Sequence, residues 1–231
     1  CKFGKSMIDE LKSIDYEPFW LSLKLSFITT FILFFACIAL AYFMSQKKFF
    51  GKSFLESVIS LPLVLPPSVL GFYLLIFLSP YSAFGKFIEE IFGVRLVFNF
   101  TGLVVASCIY SLPFMFGPIY AGLNSLKKSL FEASYSLGKN KLTTIFRVIL
   151  PSIRSNLLTA TVVSFAHTMG EFGVVLMIGG SVAGESKVAS IAIFEAVEML
   201  DYTKAHVYAL LMLIISFFVL FVVYLLNSKK A

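Results

Sequence analysis

Polar and apolar positions fall into long blocks along this chain. Five apolar runs, about Phe19 to Met44, Phe54 to Leu78, Gly102 to Leu123, Leu157 to Met177 and His206 to Leu226, alternate with shorter segments that hold most of the charge. Each run reaches the roughly 20 residues that an α-helix needs to cross a hydrocarbon core about 30 Å thick. The runs are continuous, without the alternating ten-residue pattern of barrel strands, so five transmembrane helices are predicted. The segment Ala83 to Phe92 has a different period. Phe84, Phe87, Ile88 and Ile91 recur at helical spacing against Lys86, Glu89 and Glu90, which predicts an amphipathic helix at the bilayer surface.

Composition agrees with that pattern. Of 231 residues, 58% are hydrophobic and 14% charged, and the mean hydropathy is +0.90, so an all-α integral membrane protein is expected. The net charge of +6 is read by location, because basic residues near a membrane report topology. Lys47, Lys48 and Lys52 follow the first span, and Lys127, Lys128, Lys139, Lys141, Arg147 and Arg154 face only Glu132 between the third and fourth. Lys229 and Lys230 close the chain. The other two loops mix Lys86 and Arg95 with Glu89 and Glu90, and Lys187 and Lys204 with Glu185, Glu195, Glu198 and Asp201. The basic loops are therefore placed in the cytoplasm, the N-terminus outside and the C-terminus inside. This divides the chain into a polar segment 1–18 on the outer side, a membrane domain 19–227 and a cytoplasmic tail 228–231. Met7 makes a natural start, so residues 1–6 read as an upstream extension. Cys1, Cys37 and Cys108 suggest no disulfide framework, and no nucleic-acid motif is present.

The basic island Ser125 to Pro151 carries ordered helix punctuation. Ser129 and Glu132 have capping-box spacing, and Gly138 suits the left-handed residue that closes a helix, which predicts a two-turn helix from Leu130 to Leu137. Leu130, Phe131, Ala133 and Leu137 make it apolar enough to dock, and Ala133 and Ser134 let a partner's backbone approach. Glu132, Ala133 and Ser134, then three residues, Gly138, nine residues, and Val148, Ile149, Leu150 and Pro151 resemble the EAA loop of bacterial ABC importer permeases. Ser134 for the second Ala and Val148 for Ile are conservative departures. An ordinary capped cytoplasmic helix would share the capping box but not the full spacing. The resemblance implies a type I ABC importer permease fold with a cytoplasmic coupling helix, in which Leu130, Phe131, Glu132, Ala133, Ser134, Leu137 and Gly138 engage an ATPase. Gly51, Lys52 and Ser53 imitate the end of a P-loop, but Gln46 stands where glycine is required, and Gly4, Lys5 and Ser6 have no upstream glycine. No cofactor or metal is expected in this chain, and ATP and Mg are assigned to a partner ATPase.

Pro113, Gly117, Pro118 and Gly122 make the third span an irregular helix whose small residues permit close packing, and two further spans are irregular in ways that carry chemistry. Pro62, Pro66 and Pro67 interrupt the second at membrane depth, as either a broken helix beside a pathway or a packing kink. In the fourth, His167 and Glu171 are four residues apart, a spacing that shares a helix face. They form a mutually satisfied structural pair or line an aqueous route. Gly170, Glu171, Phe172 and Gly173 spell GEFG, which resembles a signature of molybdate and sulfate permeases, and LPLVLPP around Pro62 to Pro67 resembles the molybdate members more closely. His167 stands where that family commonly has Arg, which makes the charge there depend on pH. A short helix, about Val188 to Met199, follows a glycine hinge and is expected to cap the outer face or re-enter shallowly. The resemblance implies molybdate or tungstate import, a homodimer, two ABC ATPase subunits, a periplasmic oxyanion-binding protein and a bacterial inner or plasma membrane location. A sulfate or thiosulfate permease is the nearest alternative. From other classes, an ion channel would need no ATPase, and a membrane-embedded enzyme would use His167, Glu171 and His206.

Overall fold

In the computed structural model residues 14–47 and 49–228 are described. Residues 1–13, Lys48 and residues 229–231 lie outside them, and with them most of the polar segment 1–18, the start at Met7 and the basic pair Lys229 and Lys230. No strand occurs among the described residues. Helices satisfy their own amides, which hydrocarbon demands of any lipid-facing backbone.

Helix α1, Glu17–Gln46, starts on Pro18 and runs about 45 Å at 1.5 Å per residue. Leu21, Leu25, Leu33, Cys37, Ala41 and Met44 mark its buried face, while Phe27, Phe31 and Phe35 form an exposed ladder of rings on the other. Helix α2, Lys52–Ser60, tightens into a 3-10 turn, Leu61–Leu63, and α3, Pro67–Leu78, leaves at 111° to it. The prolines cause this. Pro67 excludes the residue before it from the α region, and Pro66 accordingly sits at φ −54°, ψ 136°.

Helix α4, Ala83–Phe92, is capped by Ser82 and closed by Gly93 at φ 65°. Helix α5, Phe100–Ser125, starts at Asn99, whose side chain accepts from the Gly102 N–H at 2.8 Å. It is followed by α6, Lys128–Ser136, and by α7, Lys141–Ser152, which meets α8, Arg154–Met169, at 74°. Then come α9, Gly173–Gly179, α10, Ala189–Glu198, and α11, Tyr202–Ser228. By length and apolarity α1, α5 and α11 can each cross a membrane, and the bent pairs α2–α3 and α7–α8 bring the number to five. The fourth apolar run is not one helix over Leu157 to Met177: it stops at Met169 and resumes at Gly173.

The core is built on the mutual packing of α1, α5 and α8. One apolar cluster joins Leu33, Cys37, Ala41 and Met44 to Met115, Phe116, Ile119, Leu123, Ile149 and Ile153. A second joins Leu21 and Leu25 to Leu74, Leu78, Leu103, Ala106, Val174 and Ile178. Between the two along the chain direction, each central helix carries buried hydroxyls: Ser26, Thr29 and Thr30 on α1, Ser107 and Ser111 on α5, Ser164 and Thr168 on α8. The membrane core is thus two apolar layers separated by a polar belt.

The two broken spans also touch each other, because α3 packs on α9. A Cβ on Gly71 would lie 2.9 Å from the Met177 Cβ and 3.2 Å from the Val174 Cα, and one on Gly173 would lie 2.7 Å from the Pro67 Cβ. Gly117 on α5 has open space instead. We therefore expect Gly71→Ala to cost about 1–3 kcal/mol through overpacking and to lower the thermal midpoint of the detergent-solubilised protein. Gly117→Ala should leave it unchanged or raise it, since alanine is the better helix former. Equal midpoints for the two variants would contradict this packing.

Candidate functional site

Two regions bring the sequence-marked residues together: the helix α6 at one end of α5, and the polar belt in the middle of the membrane domain.

Helix α6 starts two residues earlier than the sequence spacing predicts. Lys127 is its N-cap and makes no side-chain cap, so the Ser129–Glu132 capping box does not form. The chain leaves α5 through Leu126 and Lys127 in extended conformation, and the Leu130 N–H bonds the Lys127 C=O at 3.0 Å, closing the first turn with backbone alone. At the other end Gly138 takes φ 71°. Its N–H bonds the Tyr135 C=O at 2.9 Å, and the Lys139 N–H bonds the Ser134 C=O at 3.2 Å, a Schellman closure.

The helix has two faces with different work. Phe131 is buried in the apolar cluster with Met44, Leu123 and Ile149. Ser134 is buried too, and its Oγ lies 2.8 Å from Thr144 Oγ1, which in turn donates to the Asn140 C=O at 3.0 Å. Ser134 therefore allows close approach by this chain's own α7 and not by a partner. Glu132, Ala133, Tyr135, Leu137 and Gly138 point outward and Leu130 is half-buried, with Leu137 76% exposed. The expected docking residues divide into two that anchor and four that present, with Leu130 at the edge.

Helix α7 links this helix to the membrane. Pro151 has no N–H to offer the Arg147 C=O, and its ring would crowd that oxygen in a regular helix. The backbone relieves this with a π turn over Ile145–Ile149, in which the Leu150 N–H reaches the Ile145 C=O. Val148, Ile149, Leu150 and Pro151 make up this turn and its exit, and Ile153 at φ −107°, ψ 20° completes the bend into α8. Ile149 and Ile153 are buried against α1 and α5.

In the belt, His167 and Glu171 do not pair with each other, which was one of the two arrangements open to them. The GEFG segment unwinds the helix between them, so the i, i+4 geometry is lost. His167 Nδ1 lies 2.9 Å from Ser111 Oγ, and its ring stacks on Phe114 at 3.8 Å. Ser111 also meets Thr168 Oγ1 at 2.8 Å. One turn away on α5, Ser107 donates to Glu171 Oε2 at 2.9 Å. Glu171 is only 4% exposed, and its Oε1 is without a hydrogen-bond partner. The Glu171 C=O accepts from Ser190 Oγ of α10 at 2.7 Å, and the Phe172 ring lies 4.9 Å from that of Phe194. Pro67 reaches Gly173 across the α3–α9 contact, and Pro66 and Gly170 are exposed. Pro62, buried in its 3-10 turn, packs toward α5 and stands apart from this group. The structure thus gathers Pro67, Glu171, Phe172 and Gly173 around one break, with His167 and Gly170 just before it.

Helix α10 covers that break. Its first amide, Ala189 N–H, donates to Ser22 Oγ of α1 at 2.9 Å, and Lys187 and Ser181 both hold Glu195. Burial works against the Glu195 carboxylate, but Lys187 and Ser181 together outweigh it and keep its pKa below the ordinary value. The Glu195 carboxylate therefore stays charged at neutral pH. Among the described residues no three His, Cys, Asp or Glu side chains stand together as metal ligands. Sequence reasoning missed Ser107, Ser111, Thr144 and Ser190. For Ser107 and Ser111 a signal existed, two small hydroxyl residues one turn apart inside an apolar span.

A match to the family described as binding-protein-dependent transport system inner membrane component covers residues 24–231. The chain is 38% identical over 221 residues to the molybdenum transport system permease protein ModB of Azotobacter vinelandii, covering 96% of this chain and 98% of that one. It is 31% identical over 161 residues to ModB of Haemophilus influenzae, covering 70% of each. To the sulfate transport system permease protein CysT of Salmonella typhimurium it is 29% identical over 192 residues, 83% of this chain and 69% of that one.

The belt makes a differential prediction. Ser107→Ala removes the hydrogen bond that Glu171 receives and should cost about 1–3 kcal/mol, the penalty of a buried polar group left unpaired. Ser111→Ala should cost less, because Thr168 keeps its bond to the Ser164 C=O at 3.0 Å. Thermal unfolding in detergent reads both, and the reverse order would contradict the geometry.

Proposed function

The chain belongs to the binding-protein-dependent transport system inner membrane component family, and from that premise we propose that it imports molybdate, with tungstate as a second cargo. A protein of this family is the membrane permease of an ATP-binding cassette importer with the type I permease fold. It does no chemistry itself, and the ATPase is a separate subunit. Importers of this family work with an ATPase and a binding protein. The finer assignments follow as our reading: a homodimer, two ATPase subunits docked at α6, and a periplasmic oxyanion-binding protein opposite. The N-terminus lies outside and the C-terminus inside, with residues 19–227 as the membrane domain.

The observation that carries the coupling role is α6 itself. It is a short helix closed by Gly138, anchored from within by Phe131 and Ser134, and it offers Glu132, Ala133 and Leu137 outward. Its position in the chain, between α5 and the bent α7–α8 unit, lets a push on α6 act on two membrane elements. The need for such a push is energetic. Moving a dianion into a cell held negative by about 100 mV costs about 4–5 kcal/mol before any concentration gradient. Alternating access supplies it when nucleotide-driven motion biases inward- and outward-open states.

We assign the gate region to the break where α3, α9 and α10 meet, with Pro66, Pro67, His167, Gly170, Glu171, Phe172 and Gly173 as its residues and Pro62 as the bend that aims α3. Molybdate as cargo is supported by the near-full-length similarity to the molybdenum permease of Azotobacter vinelandii. The sulfate reading draws on the CysT relatives.

ATPase activity of the reconstituted complex with its own binding protein discriminates them. Molybdate-loaded and tungstate-loaded binding protein should each stimulate hydrolysis, and sulfate-loaded protein should not. Stimulation by sulfate alone would overturn the cargo assignment, and anion flux independent of the ATPase would overturn the importer mechanism.

A further inference from the structure

Helix α4 takes no part in the transport reading, yet its packing is tightly specified. Ser82 Oγ accepts from the Gly85 N–H at 2.8 Å and donates to the Phe77 C=O at 2.6 Å. A Cβ on Gly85 would stand 2.0 Å from the Ser79 carbonyl oxygen, so only glycine lets α4 fold back onto the end of α3. The buried side of α4 is Gly85, with Ile88 against the second apolar cluster. Phe84, Phe87 and Ile91 are exposed.

That exposed strip does not end with α4. The Phe77 and Phe84 rings stack at 4.4 Å with 14° between their planes. Phe72, Ile76 and Phe77 on α3 are exposed as well. One apolar surface therefore runs from a membrane-depth helix, where acyl chains are the solvent, around the Ser79–Ser82 turn and onto α4. The charges on the other side are internally matched. Lys86 lies 3.8 Å from Glu90, and Arg95 donates to Glu89 at 2.8 Å. Two cations and two anions leave no net charge with which to select an oppositely charged partner or an anionic lipid. Along α5, about 39 Å long at 1.5 Å per residue, α4 sits at the end away from α6.

We propose that α4 is an interfacial anchor, embedded by Phe84, Phe87 and Ile91 at the headgroup–acyl boundary of the bilayer surface remote from α6, indifferent to lipid charge. The rigid α3–α4 turn passes that depth on to α3 and hence to the Pro66–Pro67 break. Binding at this depth is what an amphipathic helix of this type does when its apolar face has no protein cover. The anchor does not depend on which anion is carried.

Fluorescence quenching in the reconstituted importer tests it. Trp20, the single tryptophan of the chain, is changed to Phe, and tryptophan is then placed by Phe87→Trp, by Ile91→Trp as an independent second position, or by Lys86→Trp on the polar face. Phospholipids brominated near the headgroup should quench Phe87→Trp and Ile91→Trp severalfold more strongly than Lys86→Trp. The quenching should be the same in phosphatidylcholine with or without phosphatidylglycerol. Quenching by aqueous acrylamide in place of bromolipid would overturn the proposal. So would protection from both quenchers, which would mean a protein covers the strip, and so would bromolipid quenching that needs the anionic lipid.

Discussion

Hydrocarbon offers no hydrogen-bond partner to a backbone amide or carbonyl, so a helix that breaks at membrane depth must be repaired from inside the protein. Among the described residues the helices break at three places, and the rest of the structure is arranged around mending them. At the first, the Leu61 C=O is taken by the Val64 and Leu65 N–H groups and the Pro66 C=O by those of Val69 and Leu70. At the second, a π turn reroutes the ladder around Pro151. At the third, Ser190 of α10 serves the Glu171 carbonyl. At the far end of α9 the Gly179 carbonyl accepts from Ser186, and the Ile178 carbonyl accepts at 2.8 Å from the Phe98 N–H, whose backbone is held at φ 59°. The Ser190 and Phe98 contacts cross between elements, so the segment after the third break is held by α10 and by the loop ahead of α5 as much as by its own helix.

This explains what could be read in the residues alone. The apolar runs of α1, α5 and α11 are long and uninterrupted, and their positions follow from hydropathy. The Pro62–Pro67 bend was legible because proline acts locally on its own and the preceding residue. The unwinding at Gly170–Phe172 was not. Nothing local forbids a helix through GEFG, and what favours the break is tertiary: Gly173 seated on Pro67, with Ser190 donating to the Glu171 carbonyl and Ser107 to the Glu171 carboxylate. The same cause separates His167 from Glu171. The capping box at Ser129 failed for a related reason. Capping spacing is a statement about an isolated helix end, whereas the entry to α6 is set by where α5 stops. Gly138, which needs only its own left-handed backbone, closes the helix as its type implies.

The two regions of the site are mechanically joined. Phe131 and Ser134 fix α6 to α1, α5 and α7, and α7 turns through its π segment into α8, which carries Ser164, Thr168 and His167 into the belt. On the proposed docking, a displacement of α6 would act on the belt through the packed helices α7 and α8 and not through a flexible loop. Coupling of this kind requires an element with two discrete arrangements. The bends at Ile153 and at Gly170 are where α8 meets its neighbours, and they are the places at which such an element can pivot.

The central claim is that α6 presents one face to a separate ATPase and anchors the other in the membrane domain. Site-specific photo-crosslinking in the assembled complex tests it most directly, with a benzophenone amino acid placed in turn at Ala133, Leu137 and Phe131. Adducts with the ATPase subunit are expected from Ala133 and Leu137, and from Phe131 only adducts within this chain. ATPase adducts of equal yield from all three positions, or none from Ala133 and Leu137, would contradict it.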